Sequence, residues 1–165
     1  MKVFIGIDNG VTGSIGIITT EGSVEFHKTP TKIEQNYTKT KGNITRVNGR
    51  ELYRIFKPFV GQDVHLILER PMVNPAHFFA TLSAMRSMEA TLIVIELCKF
   101  SYQYIDSKKW QSVLLPEGCE GAELKVASLQ IGKRLFPQVD FDAMKVKDAD
   151  GILIAEYLRR SYLTT

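Results

Sequence analysis

Asp8 closes the apolar segment Val3-Phe4-Ile5-Gly6-Ile7, and Glu69 closes a second, His65-Leu66-Ile67-Leu68. Asp148 and Asp150 open a third, ahead of Gly151-Ile152-Leu153-Ile154-Ala155. A carboxylate at the end of a core strand needs hydrogen bonds, a cation or a metal ion to compensate its charge. Three such groups brought together repel one another and persist where divalent cations neutralise them. Hard oxygen donors with open positions suit Mg²⁺ or Mn²⁺, and a pair of such ions can drive phosphodiester cleavage. Each residue also has a purely structural reading. Asp148 or Asp150 fits a helix N-cap, where the dipole favours an acid. Glu69, before Arg70-Pro71, fits a strand-end salt bridge, and Asp8 an Asx turn. The set is harder to explain that way than its members are.

For the set to meet, particular elements must position it. Buried-strand patterns occupy residues 3–7, 14–19, 23–27, 64–68 and 102–105. Asn9-Gly10 turns the first strand into the second, and the glycines beside Asp8 are expected to leave clearance for a phosphate or a nucleic-acid backbone. Leu52, Ile55, Phe56, Phe59 and Val60 recur at helical spacing, so residues 50–60 are expected to form an amphipathic helix. Pro75 opens a long helix through about residue 89, and residues 91–95 are expected to continue it. Further helices are expected from Ser107, over residues 122–135, and from about Asp148 to Tyr162. Residues 30–48 read as a polar loop. An antiparallel opening followed by strands alternating with helices gives an α/β layer fold. If the first and fourth strands run parallel as neighbours, Asp8 and Glu69 emerge at one sheet edge, where α/β folds place ligands.

Composition narrows the partners. The 165 residues, 44% apolar and 24% charged, are expected to fold as one domain, residues 1–165. No apolar run reaches membrane-spanning length, and a chain that enters a strand at once is expected to carry no signal peptide. Cys98 and Cys119 have no metal or redox spacing, which points to a reduced, cytoplasmic compartment. The net charge of +3 says little, but its distribution says more. Lys28, Lys32, Lys39, Lys41, Arg46, Arg50 and Arg54 face only Glu34 and Glu51 in their stretch. Such a run suits phosphate contact, although a solvated loop is the commoner reason for one.

In order and spacing, these motifs resemble the RuvC family of Holliday-junction resolvases, within the ribonuclease-H-like nucleases. The residues that carry the likeness are Ile5-Gly6-Ile7-Asp8-Asn9-Gly10 with Thr12-Gly13, Leu68-Glu69-Arg70-Pro71, and Asp148-Ala149-Asp150-Gly151-Ile152-Leu153-Ile154-Ala155. A weaker match runs through Lys108-Lys109-Trp110-Gln111 to Ala122-Glu123-Leu124-Lys125. Phage-encoded members look most similar. The resemblance implies a ribonuclease-H-like mixed five-stranded sheet, antiparallel over its first three strands and flanked by helices. It implies a cytoplasmic homodimer, in a bacterial cell or a phage-infected host, that cuts four-way DNA junctions with Mg²⁺ or Mn²⁺.

By position, the resemblance makes Asp8, Glu69 and Asp150 the core metal ligands. One ion between Asp8 and Asp150 would orient the attacking water, and a second between Asp8 and Glu69 would face the departing 3′ oxygen. The family usually has an Asp or His three residues before its last aspartate, where this chain has Lys147. Asp148 could supply the fourth ligand from a shifted position, or Lys147 could contact the scissile phosphate. Lys125, Lys109 and Lys108 resemble backbone-contacting lysines, with Arg46 and Arg50 as further contacts.

Phe78 and Phe79 are adjacent and cannot share one core face; helix packing or a dimer interface is the plainer reading, a wedge between bases the sharper one. The surplus of apolar residues on the same helix (Leu82, Met85, Met88, Leu92) favours a dimer, and Trp110 is expected in the core. Two other classes stay in view. One is a catalytically silent junction-binding module, which would have no use for buried like charges. The other is an actin-like ATPase, whose phosphate loop also reads Asp-x-Gly-x-Thr but needs two domains.

Overall fold

Side chains alternate across the first strand, and the alternation divides the molecule into layers. The computed structural model describes residues 1–39 and 41–164. In it, β1 (Lys2–Asp8), β2 (Ser14–Thr19) and β3 (Val24–Lys28) form an antiparallel meander. β4 (Thr31–Gln35) and β5 (Asn43–Val47) form a separate two-stranded hairpin. α1 (Gly49–Phe56) leads to β6 (Asp63–Glu69), α2 (Phe78–Leu97), β7 (Tyr102–Ile105), α3 (Ser107–Leu114), α4 (Ala122–Leu135) and α5 (Asp150–Leu163). The main sheet has the order β3-β2-β1-β6-β7, with β1, β6 and β7 parallel.

Val3, Ile5 and Ile7 point to one face, where Leu66, Leu68, Leu52, Phe56, Met88, Val94 and Ile95 complete a core under α1 and α2. The other face packs Ile18, Ile67, Ile105, Trp110 and Phe141 against Ile152, Leu153 and Ile154 of α5. The main strands and helices form where the periodicity places them, residues 91–95 continuing α2 as expected. The stretch 30–48 differs from expectation. Ile33, Ile44 and Val47 let it pair as β4–β5 rather than remain a loop, and Asn48 N donates to Pro30 O at 2.8 Å to close the hairpin's base. The expected helix over residues 50–60 also stops early. A 3₁₀ turn, Lys57–Phe59, replaces its end because Pro58 cannot donate to the ladder.

α2 is the other departure. With its leading turn it spans Pro75–Leu97, 23 residues, long and apolar enough by length and composition to cross a membrane. No single apolar run in the sequence has that length, because Ser, Thr and charged residues punctuate it. Met88, Thr91, Val94 and Ile95 seat the helix on the core, while Leu82, Met85, Ile93 and Leu97 remain exposed. Phe78 and Phe79 are 63% and 81% exposed, so neither joins the core. Their rings meet edge-to-face with centroids 5.5 Å apart. Both cysteines are free thiols.

Candidate active site

β1 and β6 are parallel neighbours, with Ile7 beside Leu68, so Asp8 and Glu69 leave the sheet at the same edge. The third contributor arrives by an unusually close helix-to-sheet approach. Gly6 and Gly16 are cross-strand partners on β1 and β2. A Cβ at Gly6 would lie 2.1 Å from Ala155 N, and one at Gly16 2.2 Å from the Ile152 Cα. A Cβ at Gly151 would meet Ser14 O at 2.5 Å. Three bare positions therefore let the α5 backbone lie directly on the strands, with Asp150 in its first turn beside Asp8. The clearance expected for a nucleic-acid backbone at Gly6 is filled by the protein's own helix. Gly13 is likewise packed, 2.1 Å from Asp8 O for an added Cβ, and Gly10 (φ 141°) is the glycine of the turn that stays open.

Ligand oxygens of Asp8, Asp148 and Asp150 all lie within 4.8 Å of one another. Asp148 thus belongs to the tight group, whereas Glu69, expected as a core member, stands just outside it. Hydrogen bonds hold Glu69, Asp150 and Asp148. Trp110 Nε1 donates to Glu69 Oε2 at 2.7 Å from a fully buried ring. The Ser128 hydroxyl donates to Asp150 Oδ1 and accepts from Ala149 N at 3.0 Å. Ser14 Oγ accepts from Gly151 N at 3.0 Å. Asp148 Oδ1 lies 3.5 Å from Asp150 N, a partial cap, while its Oδ2 accepts from Lys125 Nζ at 3.2 Å. The salt bridge considered for Glu69 is absent, since Arg70 pairs with Asp106 instead at 3.3 Å. Trp110 and Ser128 are the functional contacts missed in the sequence. An indole and a hydroxyl each have ordinary core roles, and only the contact distinguishes them.

The cluster is under electrostatic load. Burial, then the charges of Glu69, Asp150 and Asp148, push the Asp8 carboxyl well above its usual range. Burial raises Glu69 to about 7, against the Trp110 hydrogen bond that favours its ionised form. Burial and Asp148 raise Asp150 to about 6, with Ser128 and Lys125 opposing. Burial works to lower Lys125, yet the hydrogen bond to Asp148 and the surrounding carboxylates leave it raised, a firmly held cation. A single lysine does not neutralise this many buried acids. The donor set fits a divalent cation that prefers oxygen ligands.

Beside Asp148 opens a cleft of about 390 Å³. Lys28, Lys125, Lys145 and Lys147 line it, with the Thr12–Gly13 turn. Thr29 N donates to Gly13 O at 3.0 Å and fixes the end of β3 against that turn. Lys147 is exposed there, next to the acids rather than among them. Lys145 sits at φ 52°, a left-handed conformation that costs a non-glycine residue roughly 1–2 kcal/mol. Lys28 reads in the sequence only as the start of the basic run and Lys145 is not singled out there, since the fold alone brings them to the cleft. Lys108 and Lys109 are exposed in the first turn of α3, and Lys108 lines a different groove with the Pro116–Gly121 loop. Arg50 is exposed at the start of α1, and Arg46 is paired with Glu34 on the hairpin.

Two solved structures share this fold over nearly their whole length. Thermus thermophilus RuvC in complex with a Holliday junction substrate superposes with a TM-score of 0.58 at 10% identity, covering 98% of this chain and 96% of that one. Another Thermus thermophilus RuvC structure gives 0.52 at 12% identity, covering 96% of each. No family model and no curated protein matches the sequence. The fold is that of RuvC, a ribonuclease-H-like mixed five-stranded sheet flanked by helices.

Proposed function

We propose that residues 1–165 act as a single nuclease domain, a metal-dependent, structure-selective endodeoxyribonuclease that cuts Holliday junctions and other branched DNA. The observation that carries this reading is the convergence of Asp8, Asp148 and Asp150 within 4.8 Å, beside Glu69, on the fold of a junction-binding nuclease. Asp8, Asp150, Asp148 and Glu69 would hold Mg²⁺, or Mn²⁺ in its place, as two ions per site. Bound there, such ions would supply an activated water and charge stabilisation for in-line phosphodiester hydrolysis. Trp110 and Ser128 orient their carboxylates, and Lys125 holds Asp148 while balancing part of its charge. Lys147 and Lys125 in the cleft suit phosphate oxygens near the scissile bond, and Lys109, Lys108, Arg46 and Arg50 suit backbone contacts further out.

Symmetric cutting of a four-way junction needs two sites. The exposed apolar residues of α2 suit an interface between two copies, so the working enzyme is read as a homodimer, acting in the cytoplasm of a bacterial cell or a phage-infected host. The test is incubation with a synthetic four-way junction and Mg²⁺, with Asp8→Asn alongside. Paired nicks from the parent, abolished by chelation and lowered about 10²–10³-fold in Asp8→Asn, are expected. Tight binding without metal-dependent nicking would sink the nuclease and leave a silent junction-binding module. ATP turnover without cleavage would instead favour the actin-like class.

A further inference from the structure

The β4–β5 hairpin lies outside the main sheet, and an isolated two-stranded hairpin is marginal in water. Val47 anchors its base in the core, but Ile33 and Tyr37 are 73% and 62% exposed. From Lys28 to Arg50 there are six cations and one acid, Glu34, already engaged by Lys32 and Arg46. Tyr37 draws in two guanidiniums from different elements. Arg46 of β5 lies with Cζ 6.0 Å from the ring centroid, and Arg86 of α2 lies at 5.6 Å. Among the described residues, no carboxylate lies within ion-pair distance of Arg86. Glu89 lines the same groove without reaching it. A guanidinium stacked on a ring keeps its N–H groups in plane and free, the geometry that suits a phosphate.

The hairpin also begins at the right place. Lys28, Thr29 and Thr31 line the cleft beside Asp148, and β4 runs on from Thr31. Its five residues span roughly 17 Å, about the rise of five base pairs.

We infer that the β4–β5 hairpin is a nucleic-acid arm, in which Tyr37 braces Arg86 as a clamp on backbone phosphates of the branched substrate, beyond the end of β4 that lies away from the cleft, while Arg46, paired with Glu34, packs on the same ring. The inference rests on the branched-DNA reading and adds a second contact surface to it. A subunit contact is the competing occupant, because α2 carries both Arg86 and the apolar residues suited to dimerisation. The charge excess favours DNA.

The experiment measures binding of a labelled four-way junction in chelator, in the Asp8→Asn background, across a range of salt. Arg86→Gln and Tyr37→Leu are compared with the parent, with melting curves to establish that each folds. Arg86→Gln is expected to weaken binding about five- to tenfold and to reduce the slope of log K against log salt by about one. Tyr37→Leu should give a smaller loss of the same kind. With Asp8 intact, Arg86→Gln should lower nicking at subsaturating enzyme in step with its loss of affinity. Unchanged affinity and salt slope overturn the clamp, and so does a loss of affinity that follows a shift in oligomeric state. A parent that binds but never nicks overturns the nuclease reading alone, while the salt slope still decides the arm.

Discussion

Trp110 shows how much a single side chain settles in this site. Its ring fills the core under α5, while its one polar atom fixes Glu69 and favours the ionised carboxylate a metal requires. Trp110→Phe keeps the aromatic packing and removes the donor. The Mg²⁺ or Mn²⁺ concentration for half-saturation should rise roughly tenfold, read by calorimetry or by manganese resonance as well as by nicking. Ser128→Ala should act in the same direction through Asp150. The carboxylates also predict how stability depends on pH. Their folded-state pKa values are raised, Glu69 from 4.5 to about 7 and Asp150 from 3.8 to about 6. Their contribution is therefore fully present below the ordinary carboxylate range and is lost as pH rises through about 6–7. The metal-free protein should melt several degrees lower at about pH 8 than at about pH 5. Added Mg²⁺ should raise the melting temperature more at the higher pH, because binding must displace those protons. Equal Mg²⁺ effects at both values would refute this account.

Among the elements, the contact of α5 with β1 and β2 decides whether a site exists. Gly16→Ala forces a Cβ to within 2.2 Å of the Ile152 backbone, where no side chain can swing aside. A loss of about 3 kcal/mol or more is expected, with Asp150 moved off Asp8, so both the melting temperature and metal affinity should fall. Gly49→Ala is the contrast. Its Cβ would meet Val94 Cγ2 at 3.6 Å, ordinary contact at the start of α1. It should be neutral or stabilising by up to about 1 kcal/mol in thermal denaturation. Sequence patterning located α5 well, since Asp150 is followed by an apolar run and preceded by Asp148, which caps it in part. The same patterning failed for the hairpin. In Thr31–Gln35 and Asn43–Val47 only Ile33, Ile44 and Val47 are apolar, so nothing in the pattern outweighs its charge and marks a strand pair.

For the whole molecule, the unresolved balance lies on α2. One side of the helix is seated in the core and another exposes Leu82, Met85, Ile93 and Leu97, with Phe78 and Phe79 at its start. Ile93→Glu should convert a dimer into a monomer in light scattering while changing the monomer's stability by less than about 1 kcal/mol, because the site is exposed. Single nicks in place of paired nicks should accompany the change. A parent that is already monomeric at working concentration would contradict the proposed symmetric action. The fold likeness to RuvC extends over 98% of the chain at 10% identity, so layer order and strand direction persist although most side chains differ.

The sequence by itself determined the apolar blocks, the five strands of the main sheet and the four acids that end or begin them. Periodicity and strand-end placement are local properties, and local spacing suffices to read them. Only the tertiary structure decided which acids share a centre. Gly6, Gly16 and Gly151 had to meet across three elements before α5 could bring Asp148 and Asp150 to Asp8. The same packing set Glu69 beside the trio, in the grip of Trp110, and gathered Lys28 and Lys145 from distant segments into one cleft. Such contacts depend on through-space proximity between residues far apart in the chain, 137 positions for Ser14 and Gly151, and no linear pattern encodes that proximity.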